Sequence, residues 1–189
     1  MNQLATRLLA ATFLSGALVA TTQAGGSVDM SLANETARIA YDATQVGSGL
    51  HVGAALQHDR DDGNLVSAGL HVVDVRESKR SLYIGVGGKL YGYFTDDYDG
   101  AAVGVGGFFR YNIPGVQDVS IAGYGYYAPP VTTFGDGEHL WDTDLRLQFA
   151  VIPTARIYTG YRYSAVKVED VKKRVKLGDG LHFGIKIDF

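Results

Sequence analysis

The chain ends in the stretch LHFGIKIDF (residues 181–189), and this stretch decides the fold. Its apolar side chains occupy every second position: Leu181, Phe183, Ile185, Ile187 and Phe189. The positions between them are polar or small: His182, Gly184, Lys186 and Asp188. Because successive side chains of a β-strand point to opposite faces, this alternation predicts a strand with one apolar and one polar face.

The same stretch resembles the C-terminal assembly signal of outer-membrane β-barrels. That signal combines a polar residue, a glycine, a hydrophobic residue and a terminal aromatic residue, and these positions are taken here by His182, Gly184, Ile187 and Phe189. The resemblance implies that the barrel-assembly machinery recognises this strand during biogenesis.

The N-terminus predicts export. Arg7 is followed by an uncharged apolar run over residues 8–19, and Thr22 and Ala24 are small residues at the spacing of a signal-peptide cleavage site. The run is too short for a confident membrane-spanning helix, although an uncleaved anchor is an alternative. We therefore expect a signal peptide over residues 1–24, cleaved after about Ala24, and one domain over residues 25–189.

Composition narrows the class of protein. The 189 residues carry 17 Lys and Arg against 20 Asp and Glu, so nothing indicates a nucleic-acid partner, which requires a clustered basic surface. The absence of cysteine excludes disulfides and thiolate chemistry. The 25 glycines, 12 tyrosines and 8 phenylalanines are typical of curved, tightly packed sheets.

Period-two alternation recurs along the chain and predicts an all-β protein. The clearest segments lie around residues 50–57, 82–93, 101–111, 141–151, 156–165 and 181–189; weaker ones are 66–76, with a bulge expected near Val72 and Val73, and 116–127. Together with two short segments, 28–33 and 36–43, these segments predict a closed antiparallel up-and-down transmembrane β-barrel of ten strands. The barrel has eight strands if the two short segments stay outside it.

The connections also indicate an outer-membrane barrel. Tight turns at residues 77–80, 113–115 and 152–154 interleave with longer polar connections at 59–64, 95–100, 128–137 and 166–180. Short turns at the periplasmic end and longer loops at the other are usual for this class.

Alternation alone does not separate a membrane barrel from a soluble one, because the two differ only in which face points inward. Glycines beside Lys89 and Arg110 favour a lumen filled by long polar side chains. Aromatic residues near predicted strand ends suit the two interfacial girdles: Phe94, Phe109, Tyr111, Tyr127, Trp141, Tyr161 and Tyr163.

The polar faces assemble a predicted lumen charge network. Its principal members are Lys89, Arg110, Asp144, Arg146, Arg156, Arg162, Lys186 and Asp188, and Arg38, Asp42 and Asp142 share the same faces. Mutual salt bridges across so narrow a lumen are expected to plug it. A porin is therefore not expected, and a narrow gated channel is an alternative.

A basic run, Lys172, Lys173, Arg174 and Lys176, falls in the longest predicted outer loop. We assign it as a candidate contact for lipopolysaccharide phosphates, with a solvated charged loop as the alternative.

No motif predicts catalysis, a metal or a cofactor. His51, His71 and His182 are expected inside, where hydrogen bonding explains them better than metal ligation does. A lipid-hydrolysing triad lacks a G-x-S-x-G elbow, and its candidates Ser164 and His139 are not expected to meet. We expect no enzymatic activity.

The segment 142–163, with Asp144, Leu145 and Arg146 followed by the run IPTAR (residues 152–156), resembles the YfaZ family, and residues 63–71 are similar to its early hairpin. This resemblance implies a small outer-membrane protein of Gram-negative bacteria without an established activity.

These observations together predict a small outer-membrane protein with a structural or surface-interaction role, whose partners are membrane lipid and lipopolysaccharide. A periplasmic small-ligand-binding barrel and a lipid-modifying outer-membrane enzyme are the alternatives.

Overall fold

The computed structural model describes residues 24–45, 49–73, 81–95, 97–168 and 174–189. The described residues form β-strands and one short 3-10 helix, Pro130–Thr132. The strands are β1 (Ala24–Ala33), β2 (Thr36–Gln45), β3 (Leu50–Asp59), β4 (Gly63–Val73), β5 (Leu82–Phe94), β6 (Asp99–Asn112), β7 (Val119–Ala128), β8 (Thr133–Gly135), β9 (Gly137–Ile152), β10 (Ala155–Val168) and β11 (Arg174–Asp188).

Ten of these strands close into an antiparallel barrel. Consecutive strands pair from β1 to β7, β7 pairs with β9, and β9, β10 and β11 continue the ring until β11 returns to β1. The three-residue β8 adds only to the edge of β6, through Ala102, Ala101 and Gly100. The predicted ten-strand barrel is therefore confirmed, and the eight-strand alternative is wrong because β1 and β2 belong to the ring.

The closing seam joins the two ends of the chain. β1 and β11 pair from Ser27 opposite Asp188 to Ala33 opposite His182. Gly26 and Phe189 exchange two backbone hydrogen bonds of 2.8 and 2.9 Å. We call the end of the barrel that holds this point the terminal end and the opposite end the distal end.

The apolar rows face outward, as the alternation predicts. Leu145 and Leu147 are 57% and 50% exposed, and Ile187 is 40% exposed. Arg146, which lies between the two leucines, points into the lumen and ion-pairs with Asp144. The barrel is thus apolar outside and charged inside, the reverse of a soluble β-barrel.

Several predicted girdle residues lie on this outer surface. Trp141, Tyr161 and Phe94 are about half exposed, and Trp141 packs on Tyr127 with ring centroids 4.3 Å apart. Tyr111 is exposed at the terminal end of β6.

One predicted connection is corrected, and the general expectation of long loops at one end is corrected with it. The segment 166–180, expected as a loop, is mostly strand, because β10 extends to Val168 and β11 begins at Arg174. β1 and β2 are joined at the distal end by only two residues, so the distal connections are not uniformly long. The turn predicted at 77–80 and most of the predicted signal peptide lie outside the described residues.

The bulge expected near Val72 and Val73 is also wrong. Both residues pair with β5 in continuous register, Val72 outward and Val73 inward. The register shifts instead between Ser164 and Ala165 on the β11 side of β10.

Small residues make room for large inward side chains of neighbouring strands and of their own strand, as Gly69 does for His71. A Cβ atom on Gly184 of β11 would collide with the Tyr158 ring of β10, and one on Gly69 of β4 would lie 2.8 Å from the Lys89 side chain of β5. The glycines therefore allow tyrosine and lysine side chains to lie flat against the wall.

Within the part of the chain that the structure describes, no helix is long and apolar enough to cross a bilayer.

Candidate functional site

The lumen is layered along the barrel axis. Its distal half holds a cluster of buried, mostly apolar side chains from β4 to β11: Leu65, Tyr91, Tyr93, Ala102, Tyr126, Ala128, Leu140, Val166, Val168, Val175 and Leu177. We call this set the distal core. Leu140 and Leu177 are each 1% exposed, so this half of the lumen is filled by side chains.

Sequence reasoning missed the distal core, since it expected salt bridges alone to plug the barrel. The signal is present in the apolar residues at inward positions near the distal ends of two strands: Leu140 in β9, and Val166 and Val168 in β10. These residues interrupt the simple apolar-out and polar-in pattern. Val175 and Leu177 are in phase with the outward Leu181 and point inward only because the alternation of β11 breaks at Leu177 and Gly178, so the sequence contains no signal for them.

Below the distal core lies a charge cluster centred on Asp144 of β9. Its side chain is fully buried and accepts contacts from Arg146 Nε at 3.1 Å, Arg162 Nη2 at 3.3 Å and His182 Nε2 at 2.9 Å. These three partners come from β9, β10 and β11. Burial of an unpaired carboxylate is very costly, so Asp144 depends on its basic neighbours.

The cluster continues to Asp29 of β1, which sequence reasoning missed. Asp29 Oδ2 accepts a hydrogen bond from Arg146 at 2.6 Å, and its Oδ1 accepts one from the Tyr158 hydroxyl at 2.5 Å. Arg38 of β2 lies 3.9 Å away. Arg146 therefore bridges Asp29 and Asp144 and links the two sides of the closing seam. Asp29 alternates with the outward Val28 and Met30, which is the signal that could have found it.

A third buried carboxylate, Asp142, faces the opposite wall. It accepts hydrogen bonds from the hydroxyls of Ser164 at 2.9 Å and Tyr91 at 3.0 Å, and Lys89 Nζ of β5 lies 3.5 Å away. The Lys89 ammonium also sits 4.0 Å from the Tyr126 ring centroid. Such cation–π contact helps to hold a desolvated ammonium group.

The predicted lumen charge network is therefore assembled in large part. Lys89, Asp144, Arg146 and Arg162 take part as described, and Arg156 of β10 pairs with Asp188 of β11 near the terminal end. Arg110 and Lys186 also face the lumen, but among the described residues neither has an ion-pair partner within 4.0 Å. The geometry thus separates a paired interior from two unpaired cations.

A cavity of about 480 Å³ occupies the terminal half of the lumen. Residues at strand ends line its outer part, among them Gly25, Thr44 and Phe189. Lys89 and Arg146 lie deeper in its wall. We call it the terminal cavity.

The candidate catalytic and metal-binding residues do not form a site. His182 Nε2 lies 2.9 Å from Asp144, His71 Nε2 lies 2.8 Å from the Tyr126 hydroxyl, and His51 Nδ1 lies 2.8 Å from Asp42. Among the described residues, no group of three or more His, Asp or Glu is arranged to hold a metal ion. The Ser164 hydroxyl is buried and donates to a carboxylate, whereas His139 lies beside the Tyr127 hydroxyl, at 2.7 Å.

The predicted lipopolysaccharide contacts divide into two groups. Arg174 and Lys176 lie on the outer face of β11 at the distal end, where Arg174 donates to the Tyr163 hydroxyl at 3.1 Å. Lys172 and Lys173 lie outside the described residues.

The strand order, the outward apolar residues and the enclosed charges define an outer-membrane-type β-barrel. The chain matches the YfaZ precursor family over residues 5–189 and belongs to that family, which confirms the resemblance found in its sequence.

Comparison with solved structures supports the fold. The barrel is similar to the outer membrane protease OmpT from Escherichia coli, with a TM-score of 0.53 and 11% identity over 88% of this chain and 93% of that one. At this identity the likeness shows the fold alone. No curated protein matches the chain significantly.

The Asp144 cluster generates a stability prediction. Asp144→Asn leaves Arg146, Arg162 and His182 around a neutral amide, and we expect the free energy of unfolding to fall by about 3–5 kcal/mol. The measurement is urea unfolding of the refolded barrel in detergent micelles, followed by Trp141 fluorescence. The matched control is Asp179→Asn, because Asp179 pairs with Lys176 on the outer face and should change stability little. Equal losses in the two variants would contradict a dependence on buried ion pairs.

Proposed function

We propose that the protein resides in the outer membrane as a non-conducting barrel with a structural or surface-interaction role, its terminal end toward the periplasm. The observation that carries this proposal is the inside-out distribution of side chains. Outward residues such as Leu145, Leu147 and Phe183 expose half or more of their surface, which hydrocarbon would cover. Every strand of the ring is paired on both sides, as a bilayer requires of a β-structure.

Two internal layers of the lumen support the proposal that it is closed. The distal core fills one half, and the ion pairs of Asp29, Asp142 and Asp144 tie the walls together beneath it. An ion crossing the barrel would have to displace both buried apolar residues and paired charges. This favours a plugged barrel over a gated channel.

A periplasmic ligand carrier and a lipid-modifying enzyme receive less support. A soluble carrier would have to leave the outward leucines and isoleucines in water. A lipid hydrolase needs a serine and a histidine within reach of each other near the lipid, whereas Ser164 is buried in the lumen and bonded to Asp142.

Membrane fractionation and planar-bilayer recording test this proposal. The protein should appear in the outer-membrane fraction, change mobility between unboiled and boiled gel samples, and give no conductance steps. Recovery in the periplasmic fraction would contradict the location, and discrete steps would contradict the closed lumen.

A matched pair of variants sharpens the recording. Leu140→Ala with Leu177→Ala removes two nearly fully buried side chains of the distal core, and we expect small conductance steps to appear. Leu145→Ala with Leu147→Ala shortens two outward side chains and should remain silent.

We further propose that the distal end of β11 contacts lipopolysaccharide phosphates. Arg174 and Lys176 are exposed there beside the outward aromatic residues Tyr161 and Tyr163, at the height where phosphates of the outer leaflet would lie. Arginine and lysine form strong charge-assisted hydrogen bonds with phosphate.

Binding to lipopolysaccharide vesicles measures this contact. Arg174→Gln with Lys176→Gln should weaken the binding of the refolded barrel several-fold and abolish its preference for phosphorylated over dephosphorylated lipopolysaccharide. Arg60→Gln is the control, because Arg60 is an exposed arginine of the distal β3–β4 connection and does not belong to β11. Unchanged binding by the double variant would refute the contact.

A further inference from the structure

The terminal cavity has the size of a small-molecule site. Its volume of about 480 Å³ falls within the range of about 300–1,000 Å³ that is usual for ligand pockets. Asp188 at its outer part keeps 34% of its side chain exposed, whereas Lys89 and Arg146 in its wall keep only 12% and 11%. The cavity therefore runs from solvent toward the buried charges.

Positive charge dominates the lining. Six cationic side chains line the cavity, and the carboxylates of Asp29, Asp42 and Asp188 line it with them. Asp142, Asp144 and Arg162 lie directly behind this lining, so seven cations face five carboxylates, an excess of two positive charges. Charges of one sign in a concave site with low-dielectric walls concentrate ions of the opposite sign. The cavity is thus built to attract an anion.

Two of the six cations are not engaged in the interior network. Arg38 and Arg146 lie beside Asp29, Lys89 beside Asp142, and Arg156 beside Asp188. In the described part of the chain, Arg110 and Lys186 have no carboxylate within 4.0 Å.

The guanidinium group of Arg110 contains a hydrogen-bond donor without an acceptor. Its Nε atom is buried without a hydrogen-bond acceptor, and its guanidinium lies 5.4 Å from the Tyr83 ring centroid. A buried donor without an acceptor costs free energy that a bound anion would recover.

An aromatic wall stands across the cavity from β11. The Phe108 ring lies 5.9 Å from His51, 5.5 Å from His71 and 6.0 Å from Tyr83, measured between ring centroids. These four residues belong to β3, β4, β5 and β6, which lie opposite β9 to β11 in the ring of ten strands. A flat or apolar group would pack against this wall.

We propose that the terminal cavity binds a small organic phosphate monoester, a dianion whose phosphate is held by Arg110 and whose flat group packs against Phe108, two residues away on the same face of β6. Arg156, paired with Asp188, lines the same cavity and can add a second donor. The ligand enters from the terminal end, because the distal core fills the other half.

Calorimetric titration of the refolded barrel in nonionic detergent tests this site, with phenyl phosphate as the probe. We expect saturable one-to-one binding, weaker binding of inorganic phosphate and of the monoanion benzoate, and none of neutral phenol. Absence of saturable phenyl phosphate binding, or equal binding of phenol, would overturn the proposal. These comparisons use the unaltered protein and do not depend on any variant folding.

Variants then locate the site. Arg110→Gln should weaken phenyl phosphate binding roughly tenfold or more, as expected for loss of a charge-assisted contact. Phe108→Leu should weaken binding of phenyl phosphate but not that of inorganic phosphate. Arg174→Gln, an exposed distal arginine, should leave both unchanged, and an equal effect of this control would place binding outside the cavity. Each variant is first checked for the gel shift of a folded barrel.

Discussion

The structure depends on one constraint, the closure of the sheet through β1 and β11. Closure pairs every strand of the ring on both sides, so the outer surface presents side chains and not unpaired backbone groups. The hydrogen bonds between Gly26 and Phe189 complete the seam. Once the sheet is closed, the period-two alternation has one consequence: charged residues that alternate with outward leucines or isoleucines, such as Arg146 and Lys186, point inward.

That consequence explains the interior. Inward arginines and lysines are enclosed, so they need carboxylates at bonding distance, and Asp29, Asp142 and Asp144 supply them. Arg146 bonds across the seam to β1, so the ion pairs also reinforce closure. Pairing is dense in the middle of the lumen and incomplete toward the terminal end, where Arg110 and Lys186 face the cavity. Stability and a capacity for anions thus come from the same set of inward side chains.

The sequence predicts the barrel well because alternation is a local property. It indicates ten strands, their outward faces and most inward charges, including Asp144 and Arg162. It misses what depends on distances across the lumen: which carboxylate pairs with which cation, the role of Asp29, and the distal core around Leu140. It also mistakes the distal part of β11 for a loop, because Arg174 and Lys176 are charged and the strand alternation changes phase at Leu177 and Gly178.

The most direct test of the central claim uses the single tryptophan of the chain, Trp141, which lies outward near the distal end. Two outward positions are measured in bilayers with brominated acyl chains: Trp141 of the unaltered protein, and residue 147 in the variant Leu147→Trp with Trp141→Phe. The brominated lipid should quench the tryptophan fluorescence at both positions, and aqueous iodide should not. Residue 83 faces the cavity, so the variant Tyr83→Trp with Trp141→Phe should not be quenched by the lipid. Quenching of the two outward positions by iodide and not by brominated lipid would contradict the account.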